Sequence, residues 1–187
     1  MISPELWVAL SSLWPLQNNI GPLSRIKPWA IALLLPTLLT QKCEGVEGYL
    51  KQRAAFESKP IGYLETCEEF SNKLDAVPTE ILQGALRKVL DNIDKAPSYL
   101  ASIYDAWQRF DLNALNFIAT GGVIGIPQIR KVMLDDRNHS WIDRIRIAIS
   151  SERKCTAFVG AFHLVGRNNL TELIEKQVGH RVSLIAD

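Results

Sequence analysis

Apolar residues recur along most of this chain with a helical period. In "PTEILQGALRKVLDNI", Ile81, Leu82, Ala85, Leu86, Val89, Leu90 and Ile93 fall on one stripe. Pro78 stands where a first-turn proline belongs. The next segment repeats the period with Leu100, Ile103, Tyr104, Trp107 and Phe110, and a later one with Trp141, Ile142, Ile145 and Ile149. Aromatic residues on such stripes read as core. "PWAIALLLPTLL" (28–39) is the most apolar stretch. It is short of the ~20 residues needed to span a bilayer and carries Pro36, so it reads as a buried helix.

Strand signals are sparse. "IGYLE" (61–65), "TAFVGAF" (156–162) and "RVSLIA" (181–186) are the convincing ones. Two of them lead into helix starts. Thr66-Cys67-Glu68-Glu69 has the spacing of a capping box, and Asn169-Leu170-Thr171-Glu172 is an Asn-led variant. The second helix ends at Gly179, a good residue just past a helix C-terminus, and the last strand signal follows at once. Strand, helix, strand over this span predicts a βαβ unit with 156–162 parallel to 181–186. The expected fold is therefore α/β and helix-rich: a small, mostly parallel sheet, a C-terminal βαβ unit and a helical insertion. So short a sheet would leave edges open, which suggests that part of it lies in sequence outside this chain.

Composition narrows the functional classes. The chain has 187 residues, 47% of them hydrophobic, and a net charge of +1. This is an ordinary globular balance for a single domain. The basic residues are scattered among acidic ones, which argues against a nucleic-acid partner. Cys43, Cys67 and Cys155 are too far apart for a C-x-x-C metal or redox motif and read as buried or inert thiols. "MISPELWVAL" carries Glu5 and no basic n-region, so it is not a signal peptide, and the sequence sets no compartment. No stretch qualifies as a transmembrane segment.

Candidate chemistry gathers where strands would end. In open α/β sheets ligands collect outside the carboxyl ends of the strands. Glu65 closes the first strand signal, and His163 follows the second between Gly160 and Gly166. A nearby helix N-terminus would disfavour the imidazolium, leaving a neutral ring able to bind a metal or take a proton. A hydrogen-bonded loop histidine is the alternative. Cys67 follows Glu65 at a helix N-terminus, where thiolates are stabilised, yet no motif joins it to His163. "TGGVIG" (120–125) lacks the features of a phosphate-binding loop and reads as a loop before a helix. Arg137 and Asn138, in "DDRNHSW", sit between two helical stripes. A guanidinium there could hold a carboxylate, that of Glu65 or of a substrate; the alternative is a solvated helix junction.

Taken together, "KPWAIALLL" (27–35), "GVEGYLKQRA" (45–54), "KPIGYLET" (59–66), "RNHSW" (137–141) and "FVGAFHLVG…GHRVSLI" (158–185) resemble the TraB/PrgY/GumN family in content and order. That family is related to the Tiki proteins and is defined by two G-x-x-H motifs and a glutamate. The resemblance implies that Gly160-Ala161-Phe162-His163 is the second G-x-x-H and that Glu65, Arg137 and Asn138 are site positions. It also implies a divalent metal held by His163 and Glu65, and hydrolysis of a peptide or protein substrate. The alternative within the same resemblance is a non-catalytic protein that binds a peptide or partner, as pheromone-shutdown members do. Three positions depart from the pattern: Arg167-Asn168-Asn169 replaces a Pro-Asp-Gly-like turn, Glu47 an aspartate, and His180 an aromatic. The first G-x-x-H is expected ahead of "PELWVAL". One family domain without that segment is expected to be weakly active or inactive alone.

Overall fold

Helices carry nearly all of the regular structure in the computed structural model, which describes residues 3–13, 26–38, 45–151, 154–183 and 185. In chain order they are α1 (Pro4–Leu13), α2 (Pro28–Leu38), α3 (Val46–Phe56), α4 (Cys67–Asp75), α5 (Thr79–Leu90), α6 (Ala96–Gln108), α7 (Leu112–Thr120), α8 (Pro127–Arg130), α9 (Asp136–Ser150) and α10 (Leu170–Leu173). A π-helical turn, Lys131–Asp135, joins α8 to α9. A second one, Ile174–Val178, extends α10 to Gly179, which takes the left-handed conformation at φ 75°.

Three apolar clusters hold these helices together. The first joins Leu10 of α1, Ile31, Ala32 and Leu35 of α2, and Leu86 and Val89 of α5. It uses the α5 stripe as the sequence predicts, with Leu82, Ala85, Leu86 and Val89 buried. Pro78 lies one residue before the position expected, as the N-cap of α5. The second cluster packs Trp141, Ile142 and Ile145 of α9 on Leu170 and Leu173 of α10. The third joins Ala106 of α6, Leu115 of α7 and Val165. His163 lies on a short 3-10 turn, Ala161–Leu164, between the last two clusters. Ala161, Phe162 and Val165 lean on the third cluster, and Val159 and Leu164 on the second.

The expected parallel sheet is absent from the described residues. No strand forms among the described residues: 61–63, 156–160 and 180–183 run without regular structure, and 161–162 belong to the 3-10 turn. Leu184 and Ala186 of the third signal lie outside the described residues. Strand propensity measures how well a side chain suits a pleated, half-buried surface, and the stabilisation comes from cross-strand pairs. Here Leu64 and Val159 press into the second cluster while Ile61, Tyr63 and Phe158 stay exposed. Leu64 and Val159 of the strand-like segments thus serve as loop anchors on helices.

Two further expectations are corrected. Tyr104, Trp107 and Phe110 are not core; all three are exposed, and α6 buries Ala96 and Ala106 instead. Cys67 and Cys155 are exposed, which excludes the buried alternative for both and the packed thiol expected at Cys67; Cys43 lies outside the described residues. The two caps follow the sequence reading. Thr66 and Glu69 form a reciprocal capping box, and the Asn169 side chain accepts from the Glu172 amide.

The exposure pattern fixes an expected stability ranking. Leu86 is fully buried, and Leu86→Ala should cost about 2–5 kcal/mol through lost transfer energy and a cavity. Tyr104→Ala, on an exposed face, should stay within about 0.5 kcal/mol. Urea midpoints of the two variants check both.

Candidate functional site

The residues singled out around His163 and Glu65 come together on one face of α9. Arg137, Trp141 and Arg144 lie one and two turns apart along it and project from the same side, and Asn138, three residues before Trp141, flanks that side. Arg137 donates through Nε to Glu65 Oε1 at 2.8 Å, with its Nη2 2.6 Å from the same oxygen. Its Nη1 donates to the Met133 carbonyl at 3.0 Å, within the π-helical turn. The guanidinium lies 4.6 Å from the Phe70 ring centroid and 4.9 Å from that of Trp141. Side-chain exposure is 18% for Arg137 and 14% for Glu65, so this pair works in a partly desolvated setting. The solvated-junction alternative does not hold for Arg137. Two turns on, Arg144 anchors the same loop, bonding the Leu64 carbonyl and, at 3.0 Å, Glu69 Oε1.

Asn138 couples this arrangement to the histidine. It is 1% exposed. Its Nδ2 donates to the Asn168 carbonyl at 2.9 Å, which fixes the amide orientation and turns Oδ1 toward His163. His163 Nδ1 lies 2.6 Å from that oxygen. A carbonyl oxygen only accepts, so Nδ1 carries the proton and Nε2 keeps its lone pair. The His163 ring stacks 4.5 Å from Trp141 at a 40° tilt. The order Phe70, Arg137, Trp141, His163 is thus one continuous stack from α4 through α9 to the 3-10 turn.

Burial and then the nearby Arg137 charge push the His163 pKa down to about 3. The neutral ring expected from the sequence is present, with a different cause: desolvation and a neighbouring cation act here in place of a helix dipole. The loop beyond is held tightly. Asn169 Nδ2 donates to the Gly166 carbonyl at 2.7 Å. Gly166 has φ 78°, a left-handed conformation that favours glycine, and a Cβ there would have to displace the ends of the Arg130 and Asn116 side chains, each 2.7 Å away. Asn168 also takes the left-handed region, at φ 57°. Asparagine tolerates that conformation, so the departure from a Pro-Asp-Gly-like turn preserves turn chemistry.

Cys67 begins α4 as an exposed residue, whereas the His163 imidazole is buried. His139 is exposed on α9, its Nδ1 3.4 Å from Gln177 Nε2, and His180 is exposed beyond Gly179. Sequence reasoning missed Trp141 and Phe70 as site residues. The available signal was position: Trp141 lies four residues after Arg137 and three after Asn138.

Donors for a divalent ion are few. His163 Nε2 has a lone pair, and Glu65 Oε2 is buried without a partner. Among the described residues, however, no group of three His, Cys, Asp or Glu lies close enough to share an ion. A catalytic centre takes about three protein ligands, so these residues do not make a complete one.

Two outcomes follow from this geometry. Arg137→Ala strands Glu65 in a nearly buried position and should cost about 2–4 kcal/mol, slightly below the range for a fully buried pair. Combining Arg137→Met with Glu65→Gln should recover at least half of that loss, measured by urea denaturation. For His163, the unfolded chain binds its proton near pH 6.5 and the folded chain only near pH 3. Its stabilising contribution is therefore complete above pH 6.5 and fades as pH falls toward 3. Between pH 7.5 and pH 5 the loss should be about 2 kcal/mol, and His163→Gln should remove that pH dependence.

The sequence matches the model of the TraB/PrgY/gumN family over residues 1–182. No curated protein and no solved structure gives a match. The match spans almost the whole chain, and its residues include the Glu65–Arg137 pair and the Asn138–His163 pair: the chain belongs to the TraB/PrgY/gumN family.

Proposed function

We propose that this chain carries a hydrolase-type site acting on peptide or protein substrates, with His163 as its central group. The observation that carries the reading is the tautomer lock. Asn138 holds the proton on Nδ1, and burial beside Arg137 keeps the ring neutral at physiological pH. Nε2 is then permanently an acceptor, able to ligate a cation or orient a water without first losing a proton. Acting as a general base suits it less. A conjugate acid near pKa 3 lies about four units below neutral pH, whereas efficient bases sit close to it.

Asn138 and Arg137 are positioning residues in this scheme, one fixing the ring and the other fixing Glu65. The metal-dependent, Tiki-related peptidase activity implied by the resemblance would use His163 and Glu65 as donors. With no third donor in reach among the described residues, a cation should be held loosely and turnover should be slow or absent in this chain alone. That same shortage favours a second reading, a non-catalytic member that binds a peptide or partner.

The experiment is metal titration and hydrolysis of a quenched-fluorescent peptide library, with Mn²⁺, Co²⁺ or Zn²⁺ added to the chelator-treated chain. Expected are little metal retained after dialysis and, on adding metal, binding and any cleavage that both vanish in His163→Gln. Metal binding or cleavage that His163→Gln leaves intact would exclude the hydrolase assignment to this site. Peptide binding without turnover, independent of His163, would establish the second reading.

A further inference from the structure

The G-x-x-H turn has a feature that backbone geometry does not explain. Gly160 has φ −59° and ψ 140°, a conformation open to any residue. Its carbonyl accepts from the His163 amide at 2.9 Å, an interaction that needs no glycine. What the missing side chain leaves free is space over the imidazole. A Cβ at position 160 would meet one atom, His163 Cδ2, at 3.7 Å. Cδ2 is bonded to Nε2, the nitrogen that Asn138 does not occupy.

Solvent access points to the same edge. His163 is 5% exposed. The buried side-chain polar atoms without a partner, among the described residues, are Glu65 Oε2, Asp135 Oδ1 and Trp141 Nε1. Nε2 is not one of them, and the one side-chain hydrogen bond of His163 uses Nδ1, so Nε2 keeps contact with solvent. Trp141 covers one face of the ring, Asn138 holds the Nδ1 edge, and exposed Gly160 lies over the Cδ2 edge.

We infer that Gly160 is the access residue of this site, kept without a side chain so that a ligand can reach His163 Nε2 past it. The inference rests on His163 being the central group. The structure leaves this edge without a side chain, and any group added at position 160 would narrow the approach to Nε2.

Diethyl pyrocarbonate, which acylates unprotonated imidazole nitrogen, is the probe, with modification at each histidine followed by peptide mass spectrometry. Exposed His139 and His180 serve as internal references. In the unmutated chain His163 should react measurably, though more slowly than the references. Gly160→Val should lower the His163 rate on the order of tenfold, since close-packed atoms leave no path for the probe. Gly160→Ala should give an intermediate rate, with His139 and His180 unchanged in both variants. Far-UV circular dichroism and urea midpoints confirm that each variant is folded, and the alanine variant decides if valine disrupts the turn. An unchanged His163 rate in the folded variants would overturn the inference. So would a His163 that reacts only in urea, because the ring would then be sealed. Neither readout depends on catalysis, so a chain with no hydrolytic activity could still show Gly160 controlling access.

Discussion

The guanidinium of Arg137 is the constraint on which the site depends. It neutralises Glu65, accepts the rings of Phe70 and Trp141 on its flanks, and ties α9 to the π-helical turn before it. Its charge also helps keep the imidazolium from forming. A lysine could not take this place. An ammonium is a compact point charge, whereas Arg137 spreads its donors over Glu65 and the Met133 carbonyl while its guanidinium contacts two aromatic rings. Burying such a pair is costly in desolvation, and the orphaned Glu65 Oε2 shows that the compensation is incomplete.

Helices and caps were legible in the sequence because they depend on near neighbours. The α5 stripe, the Thr66–Glu69 box, the Asn169 cap and the Gly179 turn all follow from residues within four positions of one another. The sheet was misread because strand formation depends on distant partners. "TAFVGAF" has the composition of a buried strand, but its Val159 finds its apolar partners on α9 and α10. The aromatic stripe of α6 failed for a related reason: periodicity identifies a face without saying what, if anything, packs against it.

The scaffold of the candidate site differs from the one its strand signals imply. Glu65 and His163 were expected at one edge of a parallel sheet; they are instead gathered by consecutive residues of α9, with Arg137 holding one and Asn138 the other. The sequence offered Arg137 a carboxylate partner by charge alone, and Glu65 fills that role. The Asn138–His163 bond was beyond reach, because nothing local links positions 25 residues apart in the chain. The orientation of one amide, set by the Asn168 carbonyl, decides which imidazole nitrogen is available.

The π-helical turn at Lys131–Asp135 makes this stretch sensitive to chain length as well as to residue identity. Arg137 and Asn138 lie just beyond it, and their directions are set by the phase in which α9 leaves the turn. Each residue of an α-helix advances the direction of its side chain by about 100°. Removing one residue between 131 and 135 would therefore swing both side chains about a quarter-turn around the helix axis. Arg137 would leave Glu65 and Asn138 would leave His163 with every site residue still present in the sequence. An insertion or deletion here acts as a rotation, so the spacing between Pro127 and Trp141 belongs to the site as much as the side chains do.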